Sequence, residues 1–205
     1  MSKKREYNSL YQQQIQETIN KALYQYPRIA VFRVDLHFPI ICDNGDMPTC
    51  FPNTIQAISR FIASLKAKLE HDIKNKERQG KRVFPNKLRY TWVREIANAA
   101  NEHYHCLLIF NKDAYYHLGN YDITIPSLRT MITTAWYSAL NLDLDPLHNT
   151  GPLVHYPDNG RYCLNRQSSD FKTEYDKLIE RANYLAKEYS KQYSSHYRSF
   201  SCSQD

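Results

Sequence analysis

The chain of 205 residues is long enough for one domain, or one domain with tails, and 42% hydrophobic residues suffice for a core, while no stretch approaches the ~20 apolar residues of a membrane span. The formal net charge of +6 and the 17 tyrosines favour a polyanionic partner, most simply nucleic acid, although charge alone is equally compatible with no acidic ligand. Five cysteines without a Cys-x-x-Cys pair, and an N-terminus without an apolar signal segment, indicate reduced thiols and a cytoplasmic protein with no membrane partner.

The first two predicted elements are a helix and a strand. Apolar residues recur at helical spacing over residues 10–24, and Pro27 ends this segment, so residues 1–26 form an N-terminal tail and helix. Residues 29–38 alternate as in a strand, with one apolar face. The other face is polar and holds Arg33, Asp35 and His37. This polar face is consistent with an ordinary solvated strand and with a functional surface.

A second helix is predicted over residues 54–75, after a connecting loop at 42–52. The segment 74–87 follows as a basic loop around Gly80. Its cations are Lys74, Lys76, Arg78, Lys81, Arg82 and Lys87. Such a run is by default a solvated surface, but these side chains are also spaced to lie along a phosphate backbone.

Two strands at residues 89–96 and 103–110 carry the clearest chemical pattern in the chain. If they form an antiparallel hairpin that closes near Ala99, residues two apart share a face, so His103 and His105 point the same way and Glu95 lies across from His103. Two imidazoles and a carboxylate on one sheet face are a ligand set for a divalent metal. A His-x-His pair alone also arises by chance in a chain with 8 histidines.

The C-terminal half is predicted to contain two helices and a small hairpin. The helices cover residues 126–139 and 169–191, and the hairpin pairs 153–157 with 161–164 around an Asp-Asn-Gly turn. The apolar stripe of the last helix consists of Phe171, Tyr175, Leu178, Ala182, Leu185 and Tyr189. Residues 27–194 would form the main domain, and residues 195–205 a polar, loosely held tail.

Tyr184 and Lys187 lie off that stripe, three residues apart, and are neighbours on the helix surface. A tyrosine held beside a lysine is a candidate nucleophile, because the cation favours its phenolate. The alternative is an exposed tyrosine next to a solvated lysine.

Taken in order, these motifs resemble the three-motif plan of the HUH endonucleases, which include rolling-circle replication initiators and relaxases. More narrowly, the chain resembles the inovirus gene-II-like replication proteins of phages, the group with the YagK/YfjJ C-terminal domain. The segments that carry the likeness are FRVDLHFP at 32–39, WVRE at 92–95, HYHCLLIFN at 103–111, YLAK at 184–187 and RSFSCSQ at 198–204.

The resemblance implies an α+β fold, with an antiparallel sheet of about five strands flanked by helices and related to the RNA-recognition fold. It implies that His103, His105 and Glu95 bind Mg²⁺ or Mn²⁺, and that Tyr184, assisted by Lys187, attacks a phosphodiester of single-stranded origin DNA. The product would be a covalent 5′-phosphotyrosine that allows later rejoining. Arg33 and the six cations of residues 74–87 would bind the DNA strand.

The position of Tyr184 leaves alternatives, because it lies about 140° around an ideal helix from the apolar stripe. Either the helix packs between two layers, or it bends before Tyr184, or the nucleophile is Tyr189 on the stripe, with Tyr193 also nearby.

Two other functions compete with the nuclease. One is a non-catalytic DNA-binding regulator or accessory protein on the same fold, and the other is a protein that binds single-stranded RNA. The sequence contains no G-x-x-x-x-G-K-[ST] motif, so an initiator of this kind would need a host helicase, together with a host polymerase.

Overall fold

The computed structural model describes residues 7–39, 54–96, 102–143, 153–187 and 198–204. Within them the fold is α+β, with one six-stranded sheet and four α-helices, which confirms the predicted class. The helices are α1 (Ser9–Gln25), α2 (Thr54–Arg78), α3 (Leu128–Ala139) and α4 (Phe171–Asn183). The strands are β1 (Arg28–His37), β2 (Arg89–Ile96), β3 (Glu102–Asn111), β4 (Val154–His155), β5 (Arg161–Asn165) and β6 (Phe200–Cys202).

The strand order of the sheet is β4-β1-β3-β2-β6, and β5 also pairs with β1. Strands β2 and β3 are antiparallel, with Trp92 opposite Cys106 and Glu95 opposite His103. This is the predicted register, and it follows from the alternation of each strand, since a slip by one residue would turn every side chain to the other face. Both faces of β1 are buried, so its polar face is not an ordinary solvated surface.

The described residues form two compact units: residues 1–35, 84–116 and 156–205 belong to the first, and 36–83 and 117–155 to the second. In the first unit, α1 and α4 cover one face of the sheet with an apolar core. Its largest members are Ile15, Ile19, Leu23, Ile29, Val31, Val93, Leu107, Ile109, Leu164, Leu178 and Leu185. The predicted extent of a nuclease domain, 27–194, concerns function and stays a prediction.

In the second unit α2 packs against α3. Trp136 of α3 is fully buried, contacts Phe61 edge to face with 5.9 Å between ring centroids, and donates its indole N–H to the carbonyl of His37. Arg60 donates to the carbonyl of Ala139 and so caps the end of α3. The hydropathy of the described helices falls short of what a bilayer-spanning segment requires.

The hairpin predicted for residues 153–157 and 161–164 is wrong. The Asp-Asn-Gly turn is present, and the Gly160 N–H donates to the carbonyl of Pro157, but β5 pairs with β1 rather than with β4. The turn returns the chain to the edge of β1, where the Arg33 N–H donates to the carbonyl of Gly160. A side chain at this glycine would meet the Pro157 carbonyl oxygen at 2.8 Å.

Two helix ends differ from the prediction. Helix α2 continues to Arg78 rather than residue 75, because no helix-breaking residue occurs before Gly80, which has a φ of +69°. Helix α4 ends at Asn183 instead of residue 191, and a 3₁₀ turn, Tyr184–Ala186, follows it. The backbone is then extended at Lys187, which forms a bridge with Tyr7.

The C-terminal segment was predicted to be a loose tail, and this is also wrong. Strand β6 pairs antiparallel with β2, and Phe200 stacks on Tyr11 with 4.3 Å between ring centroids. Apolar residues alternate in β6 as in any strand, but β6 is too short for this alternation to predict a strand from the sequence. The predicted loop at 42–52, the hairpin closure near Ala99, and Tyr189 and Tyr193 lie outside the described residues.

Candidate metal centre

Glu95, His103 and His105 form a cluster on the face of the sheet that α1 and α4 cover, and their potential ligand atoms all lie within 4.8 Å of one another. The two Nε2 atoms of the histidines are 3.2 Å apart. Oε2 of Glu95 lies 3.3 Å from Nε2 of His105 and 3.9 Å from Nε2 of His103. The structure thus brings together the three residues that the sequence predicted as metal ligands.

The donor set fits a divalent cation. Two imidazole nitrogens and one carboxylate oxygen converge on one point, and a metal held by three protein ligands keeps further positions for water or substrate. His103 and Glu95 are only partly buried, so this point is reachable from solvent. These residues would hold the cation, and the oxygen ligand together with the open positions suits Mg²⁺ or Mn²⁺.

Asp35 of β1 orients one of the histidines. Its Oδ1 lies 2.6 Å from Nδ1 of His105, on the side of the ring away from Glu95. When His105 is neutral, Nδ1–H donates to this carboxylate, and the lone pair of Nε2 points into the cluster. Asp35 lies on the predicted polar face of β1, but the sequence does not predict this role, because nothing in it shows that β1 lies next to β3.

Arg33 in turn holds Asp35. Its Nε and Nη2 lie 3.0 and 3.1 Å from the two carboxylate oxygens, and both side chains are buried. Burial alone would raise the pKa of Asp35, but its hydrogen bonds and charge interactions with His105 and Arg33 outweigh burial and hold that pKa well below its usual value. Arg33 was predicted to contact DNA. In the structure it is buried and pairs with Asp35, which in turn holds the ligand His105. DNA contact by Arg33 stays a prediction.

His105 is shifted in the opposite direction. Burial lowers its pKa, but the hydrogen bonds to Asp35 and Glu95 prevail, so the pKa of His105 is raised above its ordinary value. Without metal, a proton therefore competes for the nitrogen that would bind the cation.

Arg33 connects Tyr184 to this cluster. The Arg33 guanidinium carbon is 5.9 Å from the centroid of the Tyr184 ring, and Nη2 of the same arginine is 3.2 Å from Nδ1 of His105. The α-helical geometry ends at Asn183, so the angle calculated for a continuous helix does not apply to Tyr184. Tyr184 is 37% exposed, enough for a substrate to reach it.

The Lys187 ammonium lies directly over the ring of Tyr184. Lys187 itself is only 2% exposed, so it is not the solvated surface lysine of the alternative interpretation. The Arg181 guanidinium is also near, with 6.0 Å between its carbon and the ring centroid. Cations over an aromatic face fix the ring by cation–π attraction and place positive charge near the phenol.

The six predicted DNA-binding cations of residues 74–87 are divided between the two units. Lys74, Lys76 and Arg78 lie in the last two turns of α2, where Lys76 pairs with Asp72, and Lys81 and Arg82 are exposed after the helix. These five belong to the second unit, and Lys87, which precedes β2, belongs to the first. Their exposure is compatible with phosphate contacts, and these contacts stay a prediction.

The family model of the YagK/YfjJ C-terminal domain matches residues 1–203. Uncharacterized protein YfjJ of Escherichia coli (strain K12) is 45% identical over 198 residues, which are 95% of this chain and 94% of YfjJ. Uncharacterized protein YagK of the same strain is 46% identical over 195 residues, 95% of this chain and 92% of YagK.

No solved structure matches the chain. The family match covers nearly the whole sequence, and it includes the strands that carry Glu95, His103 and His105 and the turn that carries Tyr184. The chain belongs to the YagK/YfjJ C-terminal domain family.

Proposed function

We propose that the protein is a metal-dependent HUH-type endonuclease that nicks and rejoins single-stranded DNA at an origin, as inovirus gene-II-like proteins do to initiate rolling-circle replication. One observation carries the proposal: the Arg33 guanidinium carbon lies 5.9 Å from the centroid of the Tyr184 ring, and Nη2 of the same arginine lies 3.2 Å from Nδ1 of His105. The same arginine therefore links the candidate nucleophile to the candidate metal centre. A metal site needed only for folding would have no use for a half-exposed tyrosine at that place.

The covalent step belongs to Tyr184. Its phenolic oxygen forms a bond to the scissile phosphorus, while the bond from phosphorus to the 3′-oxygen breaks. The phenol loses its proton, the departing 3′-oxygen gains one, and the 5′-phosphate stays attached to the tyrosine. Reversal of these steps rejoins the strand without an energy source. A bound Mg²⁺ or Mn²⁺ supplies charge that offsets the negative charge growing on the phosphate oxygens.

Each neighbouring residue has a task in this reaction. Lys187 and Arg181 place positive charge at the Tyr184 ring, which favours the phenolate and attracts the phosphate. Asp35 and Arg33 hold His105 in the orientation that aims Nε2 at the cluster. The partly buried edge of the cluster, at Glu95 and His103, is the side from which a DNA strand would approach.

The test is a denaturing gel. Labelled single-stranded DNA from the gene's own locus is incubated with Mn²⁺ and with wild-type protein, Tyr184→Phe, His105→Ala or the control Tyr121→Phe, which alters an exposed tyrosine elsewhere. A protein–DNA adduct is expected with the wild type and the control, and none with EDTA or the other two variants. An adduct that Tyr184→Phe retains would move the nucleophile to another tyrosine, such as Tyr189.

A non-catalytic DNA-binding regulator is the second candidate, favoured by the net charge of +6 and the exposed cations at the end of α2. It predicts DNA binding with no adduct, and binding that EDTA leaves unchanged. The nuclease, by contrast, requires the divalent metal. As a replication initiator the protein would act in the cytoplasm together with a host helicase and polymerase.

A further inference from the structure

A cavity of about 730 Å³ opens between the C-terminal half of α1 and the start of β2. Three cations, Lys21, Lys87 and Arg89, contribute to its lining, together with a single carboxylate, Glu17. The cavity therefore has a net positive charge and favours an anionic ligand. It lies at the end of β2 remote from Glu95, and the candidate metal centre does not use it.

Arg89 distinguishes this cavity from an ordinary surface groove, because it supplies a buried polar group for a ligand. It is 7% exposed, and its Nη2 donates to Oε1 of Gln25 at 3.1 Å. Its Nε and Nη1 are buried without a hydrogen-bond partner among the described residues. A buried guanidinium without an anion is costly, and a phosphate that accepts two hydrogen bonds would satisfy it. Gln25 is exposed and ends α1, so its side chain can swing aside to admit such a ligand.

An aromatic ring stands beside these cations. Tyr24 is 88% exposed and lines the same cavity. The Lys21 ammonium donates to the carbonyl of Gln204, which holds this lysine at the rim. Cations that bind a phosphate next to an exposed ring that stacks on a base form the usual platform for single-stranded nucleic acid.

We propose that this cavity binds one nucleotide of a single DNA strand, with its phosphate at Arg89, Lys87 and Lys21 and its base stacked on Tyr24. Arg89 and Glu95 share a face of β2 and are six residues apart, about 20 Å at the rise of a strand. Thr91 and Val93 lie between them on this face and are fully buried, so the cavity and the metal centre are separate binding places. The proposal needs no cleavage and holds equally for a non-catalytic DNA-binding protein.

The test separates stacking from charge with two probes, labelled d(T)₈ and an abasic strand with the same number of phosphates. Affinities are measured by fluorescence anisotropy in EDTA, so nicking does not enter the result. Tyr24→Ala should weaken d(T)₈ binding at least about fivefold and leave the abasic strand unaffected. Lys87→Ala and Arg89→Gln should weaken both probes and lower the dependence on salt concentration.

The matched control is Lys177→Ala, which removes one exposed lysine from α4 and should change neither affinity by more than about twofold. The proposal is overturned if Tyr24→Ala affects both probes equally or neither, or if Lys87→Ala has no larger effect than the control. The thermal midpoint of Arg89→Gln shows whether this variant folds. If it does not, Tyr24→Ala and Lys87→Ala decide, since both positions are exposed.

Discussion

Asp35 supplies none of the three potential ligand atoms, yet its hydrogen bond to Nδ1 of His105 decides which nitrogen of that ring faces them. We predict that Asp35→Asn weakens Mn²⁺ binding about 10- to 100-fold, the usual effect of removing a carboxylate that supports a ligating histidine. Titration calorimetry would measure this, with Asp122→Asn, an exposed aspartate outside the cluster, as control. Equal affinities of wild type and Asp35→Asn would show that the carboxylate does not orient the ligand.

The opposite pKa shifts of Asp35 and His105 predict a pH window for stability in the absence of metal. The pKa of His105 is raised in the folded state. Its contribution to stability is therefore complete below the unfolded-state pKa of about 6.5 and is lost as pH rises through the folded-state pKa. The pKa of Asp35 is lowered, so its contribution is complete above about 3.9 and is lost as pH falls toward the folded value.

Urea midpoints measured in EDTA across this range would test the window. The urea midpoint of the wild type should fall above pH ~6.5 as His105 loses its proton. His105→Gln should remove that fall. A wild-type midpoint that is constant from pH 6 to 9, or a decline unchanged by His105→Gln, would contradict the assignment.

At the scale of elements, local alternation was enough to predict the β2–β3 pair and its register, and with them Glu95, His103 and His105. It was not enough for Asp35, because its contact with His105 spans 70 residues and depends on β1 lying beside β3. The end of α4 was missed for a similar reason. The apolar stripe continues in the sequence, but the chain leaves helical geometry where the Asn8 N–H donates to the carbonyl of Ala186, a contact between distant parts of the chain.

Strand β6 is the element that sequence periodicity least reveals, and its weight in the fold can be measured. Phe200 is 9% exposed and stacks on Tyr11, so Phe200→Ala removes buried aromatic area and leaves a cavity. We predict a loss of about 3 kcal/mol in the free energy of unfolding, at the lower end for buried Phe→Ala changes. Arg198→Ala, an exposed change two residues earlier, should cost under about 0.5 kcal/mol. Similar urea midpoints for both variants would indicate a weakly held segment, as the sequence had suggested.

For the molecule as a whole, the sequence predicted the class and the sheet but not the division into two units. Each unit is assembled from segments that are distant in the chain, so the division depends on long-range contacts that sequence patterns do not show. The metal ligands, Tyr184 and the cavity at Arg89 all belong to the first unit, whereas α2 and α3 belong to the second. Binding at the metal centre therefore acts directly on the first unit.

This division predicts where a bound metal stabilises the protein. A cation at 100 times its dissociation constant stabilises the folded state that binds it by about 2.7 kcal/mol. Hydrogen exchange in Mn²⁺ should therefore slow for amides of β2 and β3, such as those of Val93 and Leu107, which exchange by opening the first unit. Glu95→Gln should abolish the slowing because it removes one of three ligands. Exchange at amides of α2 and α3 should slow equally only if both units open together. Unchanged exchange at Val93 and Leu107 would mean that the cluster binds no metal.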